Sequence, residues 1–178
     1  GGWVVVCLTN GYNEVRKNEF YEVIKEFGCE GMILSYPDLL ANGQRSTWTT
    51  ECTSIAKDLN TVLKYKHWGM VATHNPNGEY GHIHHKMTSK LVTEEFYKTY
   101  WGTNLYYFGK WYSKRTLPAM TDYLREVPEE ALQKKEEALN RFWDRQQDHY
   151  VSLPLAQEST ERIVDPSIVL NRDIYGAD

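Results

Sequence analysis

The sequence predicts an α/β protein, a mostly parallel sheet with helices on both faces. Three observations carry that expectation. Short β-branched apolar runs alternate with amphipathic stretches, the connections are only a few residues long, and Gly, Pro and Asn collect at the boundaries. Trp3 to Thr9 is the first run, an apolar strand with the pattern of burial on both faces, stopped by Asn10-Gly11. From Glu14 to Phe27, apolar Val15, Phe20, Val23, Ile24 and Phe27 recur at helical spacing, and Gly28 stands where a C-terminal cap belongs. Gly31 to Tyr36 is a second strand, closed by Pro37-Asp38. A polar loop through Asn42-Gly43-Gln44 leads to a helix over Thr50 to Lys64, marked by Ile55, Leu59, Val62 and Leu63. Met70 to Thr73 is the third strand, His74 to Gly78 a turn, His82 to about Tyr100 a helix, and Leu105 to Phe108 a fourth strand. Beyond it, Thr121 to Glu126 reads as a short helix. Pro128-Glu129-Glu130 opens a charged helix through Gln147 with Leu132, Ala138, Leu139 and Phe142 inward, and Ile168 to Leu170 reads as a short strand.

A length of 178 residues suits one domain with one core, and 41% hydrophobic residues can fill it. Acidic residues outnumber basic ones, for a net charge of −4. That balance argues against a nucleic-acid partner, because neutralising phosphates takes clustered cations. No apolar run approaches the roughly 20 residues of a membrane helix, and no basic region precedes the apolar N-terminal run. The expectation is a soluble chain, cytoplasmic provided no targeting or membrane segment lies upstream. Cys7, Cys29 and Cys52 are widely spaced with no Cys-x-x-Cys pair, which points to reduced, mostly buried thiols rather than disulfides or a cysteine zinc site. Nothing in the pattern sets an oligomeric state. The 13 Tyr and 6 Trp can enlarge a core or line a pocket for a polar ligand such as a sugar.

In open parallel sheets, ligands gather beyond the carboxyl ends of the strands. Three such loops can be read here: Thr9-Asn10-Gly11, Tyr36-Pro37-Asp38, and His74 to His85. The third holds four of the chain's six histidines. His82 and His85 stand three apart, so on a helix they share a face, while His84 points elsewhere. Two imidazoles on one face can bind zinc, or one can bind it while the other hydrogen-bonds a substrate; the plain alternative is a surface pair. Glu79, Tyr80 and Gly81 make a polar approach to the pair, with a phenol donor.

The string Thr73-His74-Asn75-Pro76-Asn77-Gly78-Glu79-Tyr80-Gly81-His82-Ile83-His84-His85 resembles the Thr-His-Asn-Pro-x-Gly-Glu-Tyr-Gly-His-Pro-x-His signature of the PIG-L/LmbE-like zinc-dependent de-N-acetylases. Val6 to Gly11 and Arg16 to Phe20 are similar to that family's Leu-Thr-x-Gly strand end and Arg-x-x-Glu helix start. The resemblance runs from about Trp3 to Val92. It implies a Rossmann-like fold and hydrolysis of the acetyl group from a small-molecule N-acetylated amino sugar or its conjugate. It also implies zinc as cofactor, with His85 matching the family's final histidine ligand. His82 matches the histidine that polarises the amide carbonyl, and Tyr80 the tyrosine that assists it. Arg16 and Asp38 match positions lining the substrate pocket. From the residues themselves, Arg16 and Glu19 also read as an i,i+3 surface pair, and Asp38 as a turn residue.

Two departures bear on this. Ile83 stands where the signature has proline and His84 where the family commonly has Asp or Gln, and the family's His-Pro-Asp-Asp-Glu motif, which supplies two further zinc ligands and a general base, is absent from the 178 residues. The expectation is therefore a single deacetylase domain over 1–178 that starts one strand late and is inactive by itself, with the motif encoded upstream of Gly1. The alternative is a non-catalytic carbohydrate-binding pseudoenzyme of the same fold. A third route, a metal held with His74 or His84 recruited, ranks last, since a Pro-Gly turn follows His74 and His84 diverges from His85 by one residue.

Overall fold

A computed structural model describes residues 2–99, 104–108, 128–143 and 163–164. The fold is α/β with mostly parallel strand pairing. The chain divides into two compact units, one of residues 1–46 and 127–158, the other of 47–126 and 159–178.

In the first unit, β1 (Val4–Thr9) and β2 (Glu30–Tyr36) run parallel, Val4 opposite Glu30, with a register shift that sets Thr9 opposite Tyr36. The crossover between them is α1 (Glu14–Glu26). Asn13 starts it by accepting from the backbone N–H groups of Val15 (3.1 Å) and Arg16 (3.2 Å), two of the donors a helix start leaves unpaired. Gly28, at φ +63°, releases the chain at the other end as its position predicted. Two sequence expectations are corrected here. β1 is not buried on both faces: Leu8 is its one buried residue and Val5 is exposed, as suits a strand that among the described residues pairs with β2 alone. Val15 is 65% exposed rather than inward. At 3.6 residues per turn it lies about 130° around the helix from the centre of Phe20, Val23, Ile24 and Phe27. A further helix of this unit, labelled α5 below, is Glu129–Trp143. It meets α1 through an Arg141–Glu26 ion pair at 2.9 Å, and Lys134 sits over the Phe27 ring.

In the second unit, β3 (Met70–Thr73) pairs parallel with β4 (Asn104–Phe108), Met70 opposite Asn104. A two-residue strand, β5 (Ile163–Val164), joins β4 antiparallel; no periodicity had marked it. Three helices precede β4: α2 (Cys52–Tyr65), the single turn α3 (Gly78–Gly81) and α4 (Ile83–Thr99). α2 buries Ile55, Leu59 and Leu63, spaced four apart, and packs on α4, which buries Leu91, Val92 and Phe96. Each such side chain contributes roughly 1.5–3 kcal/mol when fully buried. From β4, buried Tyr107 shares a hydroxyl hydrogen bond of 2.8 Å with Thr93. The core is thus concentrated behind α4, and α4 is the element that carries His84 and His85.

One polar cluster ties α2 to α4. Asn60 Nδ2 donates to Glu95 Oε2 (2.9 Å), and Lys98 Nζ donates to Glu95 Oε1 (2.6 Å). The Lys98 hydrogen bond, opposed by burial and aided by Asn60, holds the Glu95 carboxyl below its ordinary 4.5. A lowered folded pKa stabilises fully above the unfolded value and loses that stability as pH falls through the folded one. Wild-type stability, read as the urea midpoint between pH 7 and pH 3, is therefore expected to fall more steeply than that of Glu95→Gln. Equal slopes would rule the contribution out.

The three cysteines are free, as expected, but half-buried rather than buried. Among the described residues no helix is long and apolar enough to cross a membrane. The expected helix at 121–126, the end of the charged helix at 144–147 and the strand at 168–170 lie outside the described residues.

Candidate metal centre

β3 delivers the chain into the loop at His74 and α4 takes it away at Ile83, so the histidines stand at the carboxyl end of a parallel strand. Asn75, 2% exposed, shapes the loop between. Its Oδ1 accepts from the backbone N–H of Asn77 (2.8 Å) and of Glu79 (3.3 Å), and its Nδ2 donates to the Phe108 carbonyl on β4 (3.0 Å). An asparagine that bonds its own backbone two residues on is the usual nucleus of such a turn. Gly78 follows at φ +67°, where a Cβ would stand 2.9 Å from Lys86 Cγ and 3.3 Å from His85 Cβ. Only glycine allows the loop to lie this close to α4.

The result is a cluster centred on Glu79. Its Oε2 lies 2.6 Å from His85 Nδ1 and 3.1 Å from His74 Nδ1, while its Oε1 accepts the Asn75 backbone N–H at 3.0 Å. The two imidazoles stack on each other with centroids 3.8 Å apart and planes 14° from parallel, and Phe108 meets His74 edge-on. Burial pushes the Glu79 carboxyl up, but the hydrogen bonds from His74 and His85, the charge of His74 and the Asn75 N–H together outweigh it and bring the pKa down to about 2. One atom from each of His74, Glu79 and His85 falls within 4.8 Å of the others, so the group can hold a metal ion. By residue type, imidazole and carboxylate are donors that zinc accepts, though Oε2 and His85 Nδ1, 2.6 Å apart, stand closer than two donors on one zinc.

Of the residues singled out in the sequence, Tyr80, His82 and His85 come together. The His82 ring is 4.5 Å from that of His85, and Tyr80 meets both edge-on, at 6.0 and 5.5 Å. Tyr80 is 65% exposed, open to an incoming molecule. His84 points elsewhere only in part: it is buried and stacks at 4.3 Å on fully buried Trp48, yet its ring also meets that of His82 edge-on at 5.5 Å. His74 is where sequence reasoning misjudged. The Pro-Gly turn after it does not carry it away but folds back and lays its ring on His85. Glu79 and Asn75 were legible as loop polar residues but not as its centre; the glycines bracketing Glu79-Tyr80 were the available signal. Arg16 and Asp38 lie in the first unit. There Arg16 pairs with buried Glu19 at 3.2 Å and Asp38 pairs with Arg45, across a turn closed by a Leu39–Arg45 bridge.

Fold and cluster together define an α/β protein with a candidate metal centre at the end of its third strand. No protein-family model matches the chain. Among solved structures it is similar to the antimicrobial reagent A40926 pseudoaglycone deacetylase Dbv21, with a TM-score of 0.56 and 15% identity over 89% of this chain and 75% of that one. At that identity the likeness is one of fold. Among curated proteins, the uncharacterized protein L374 of Acanthamoeba polyphaga mimivirus is 32% identical over 123 residues, covering 58% of this chain and 52% of that protein. The chain thus spans about half the length of this relative.

Proposed function

We propose that the chain acts in a zinc-dependent hydrolase that removes the acetyl group from an N-acetylated amino sugar or its conjugate. One observation carries the reading: the ordered string Thr73 to His85, with its rings in mutual contact around Glu79. The similarly folded Dbv21 is a deacetylase, which supports the reaction type. His85 is assigned as the metal ligand. When bound, zinc would serve as a Lewis acid toward the amide and lower the pKa of water. His82 then acts as the donor to the carbonyl oxygen as negative charge grows on it, and the Tyr80 hydroxyl as a second donor. Each such donor is worth about 3 kcal/mol of barrier. Arg16 and Asp38 are assigned to the sugar, through a guanidinium and a carboxylate suited to its hydroxyl groups.

The test is acetate release from N-acetylglucosamine conjugates with zinc supplied, by the 178-residue chain and by the chain extended through its upstream coding sequence. Release by the extended chain, lost to a chelator and regained with zinc, is the expected result. No release by either form from any N-acetyl amino sugar overturns the reading.

A further inference from the structure

Glu79 sits in a backbone conformation that L-residues avoid, φ 57° and ψ −65°, the region of a strained γ-turn. Such strain persists where the surroundings impose it, commonly at functional sites. What the strain achieves here is visible in the hydrogen bonds. It turns one buried carboxylate so that a single oxygen, Oε2, faces the Nδ1 atoms of both His85 and His74, while Oε1 is anchored by the Asn75 N–H. Hydrogen bonds to a charged group are the stronger kind, and three of them converge on this carboxylate to oppose the strain.

The 2.6 Å from Oε2 to His85 Nδ1 also decides what Glu79 is for. Two donors on one tetrahedral zinc, each about 2.0–2.1 Å from it, stand about 3.3 Å apart. At 2.6 Å the two atoms form a hydrogen bond and cannot both be ligands. A carboxylate only accepts, so the proton lies on the ring nitrogen facing it. We propose that Glu79 is a positioning residue that clamps His85 and His74 in the Nδ1–H tautomer, leaving Nε2 of His85 as the lone pair that meets the metal. This is the arrangement in which a carboxylate orients a metal-binding imidazole and raises its basicity. The clamp rests on the assignment of His85 as a ligand, but its own geometry does not depend on which acyl-amine is cleaved. His74, held by the same oxygen and stacked at 3.8 Å, fixes the plane of the His85 ring.

The test is nitrogen-15 NMR of the histidine side chains in the whole metal-free chain near neutral pH, with zinc affinity read by competition against a chromogenic chelator. Nδ1–H tautomers at both His74 and His85 are expected in the wild type. In Glu79→Gln, His85 should shift toward the Nε2–H form, and zinc affinity should fall about 10–100-fold, the usual cost of losing such an outer partner. An Nε2–H tautomer at His85 in the wild type overturns the clamp. So does a Glu79→Gln variant that keeps both the tautomer and the affinity. Should Glu79→Gln fail to fold, the wild-type spectrum alone decides. Nδ1–H tautomers in a wild type that binds no zinc, in either the given or the extended form, would leave the clamp standing and remove the hydrolase reading instead.

Discussion

His85→Ala is expected to lower zinc affinity by more than the roughly 100-fold upper range for an outer partner and to abolish acetate release in the zinc-loaded protein. The size follows from its place in the cluster. The ring donates from Nδ1 to Glu79 Oε2 at 2.6 Å and stacks on His74, so truncating it removes both that contact and the nitrogen assigned to the metal. Circular dichroism should show the fold retained, because the core behind α4 rests on Leu91, Val92 and Phe96 rather than on the histidines. A variant that binds zinc within about tenfold of wild type, the smallest loss expected even of an outer partner, would show that His85 is not a ligand.

His82→Ala should separate from it. The expected outcome is zinc affinity close to wild type with turnover reduced about 100–1,000-fold, the usual cost of one oxyanion donor. The loss should fall on kcat as well as kcat/KM, because the donor bond strengthens only as charge develops on the oxygen. The geometry behind this division is a half-buried ring in contact with His85 but outside the Glu79 hydrogen bonds, which reach His74 and His85. Equal loss of metal in the two variants would sink the assignment of separate roles.

Periodicity located β1 to β4, α1, α2 and α4 to within a few residues, since each element has a run of its own long enough to show a period of 2 or 3.6. It failed where an element is defined by a neighbour. β5 is two residues paired to the free edge of β4, and no two-residue segment has a period. It also failed where a residue was counted apolar without its angle being taken, as with Val15. In the site, the spacing of His82 and His85 was enough to bring their rings together, because His82 is the extended residue just before α4, its carbonyl accepts from Lys86, and His85 lies in the first turn that follows. The contact of His74 with His85 was not legible, because it crosses a loop whose path depends on the Asn75 hydrogen bonds and on the positive φ at Gly78 and Glu79.

By itself, then, the sequence determined the α/β order and put the histidine-rich loop at the end of the third strand, because hydrophobic period and turn residues are local properties. The tertiary structure decided which atoms of that loop face one another. A strained Glu79 turns its carboxylate onto two imidazoles that lie five and six residues away from it in opposite directions along the chain. That convergence depends on dihedral angles held by burial against α4 and by the bond from Asn75 to the Phe108 carbonyl of β4, and a contact of that kind has no signature in spacing.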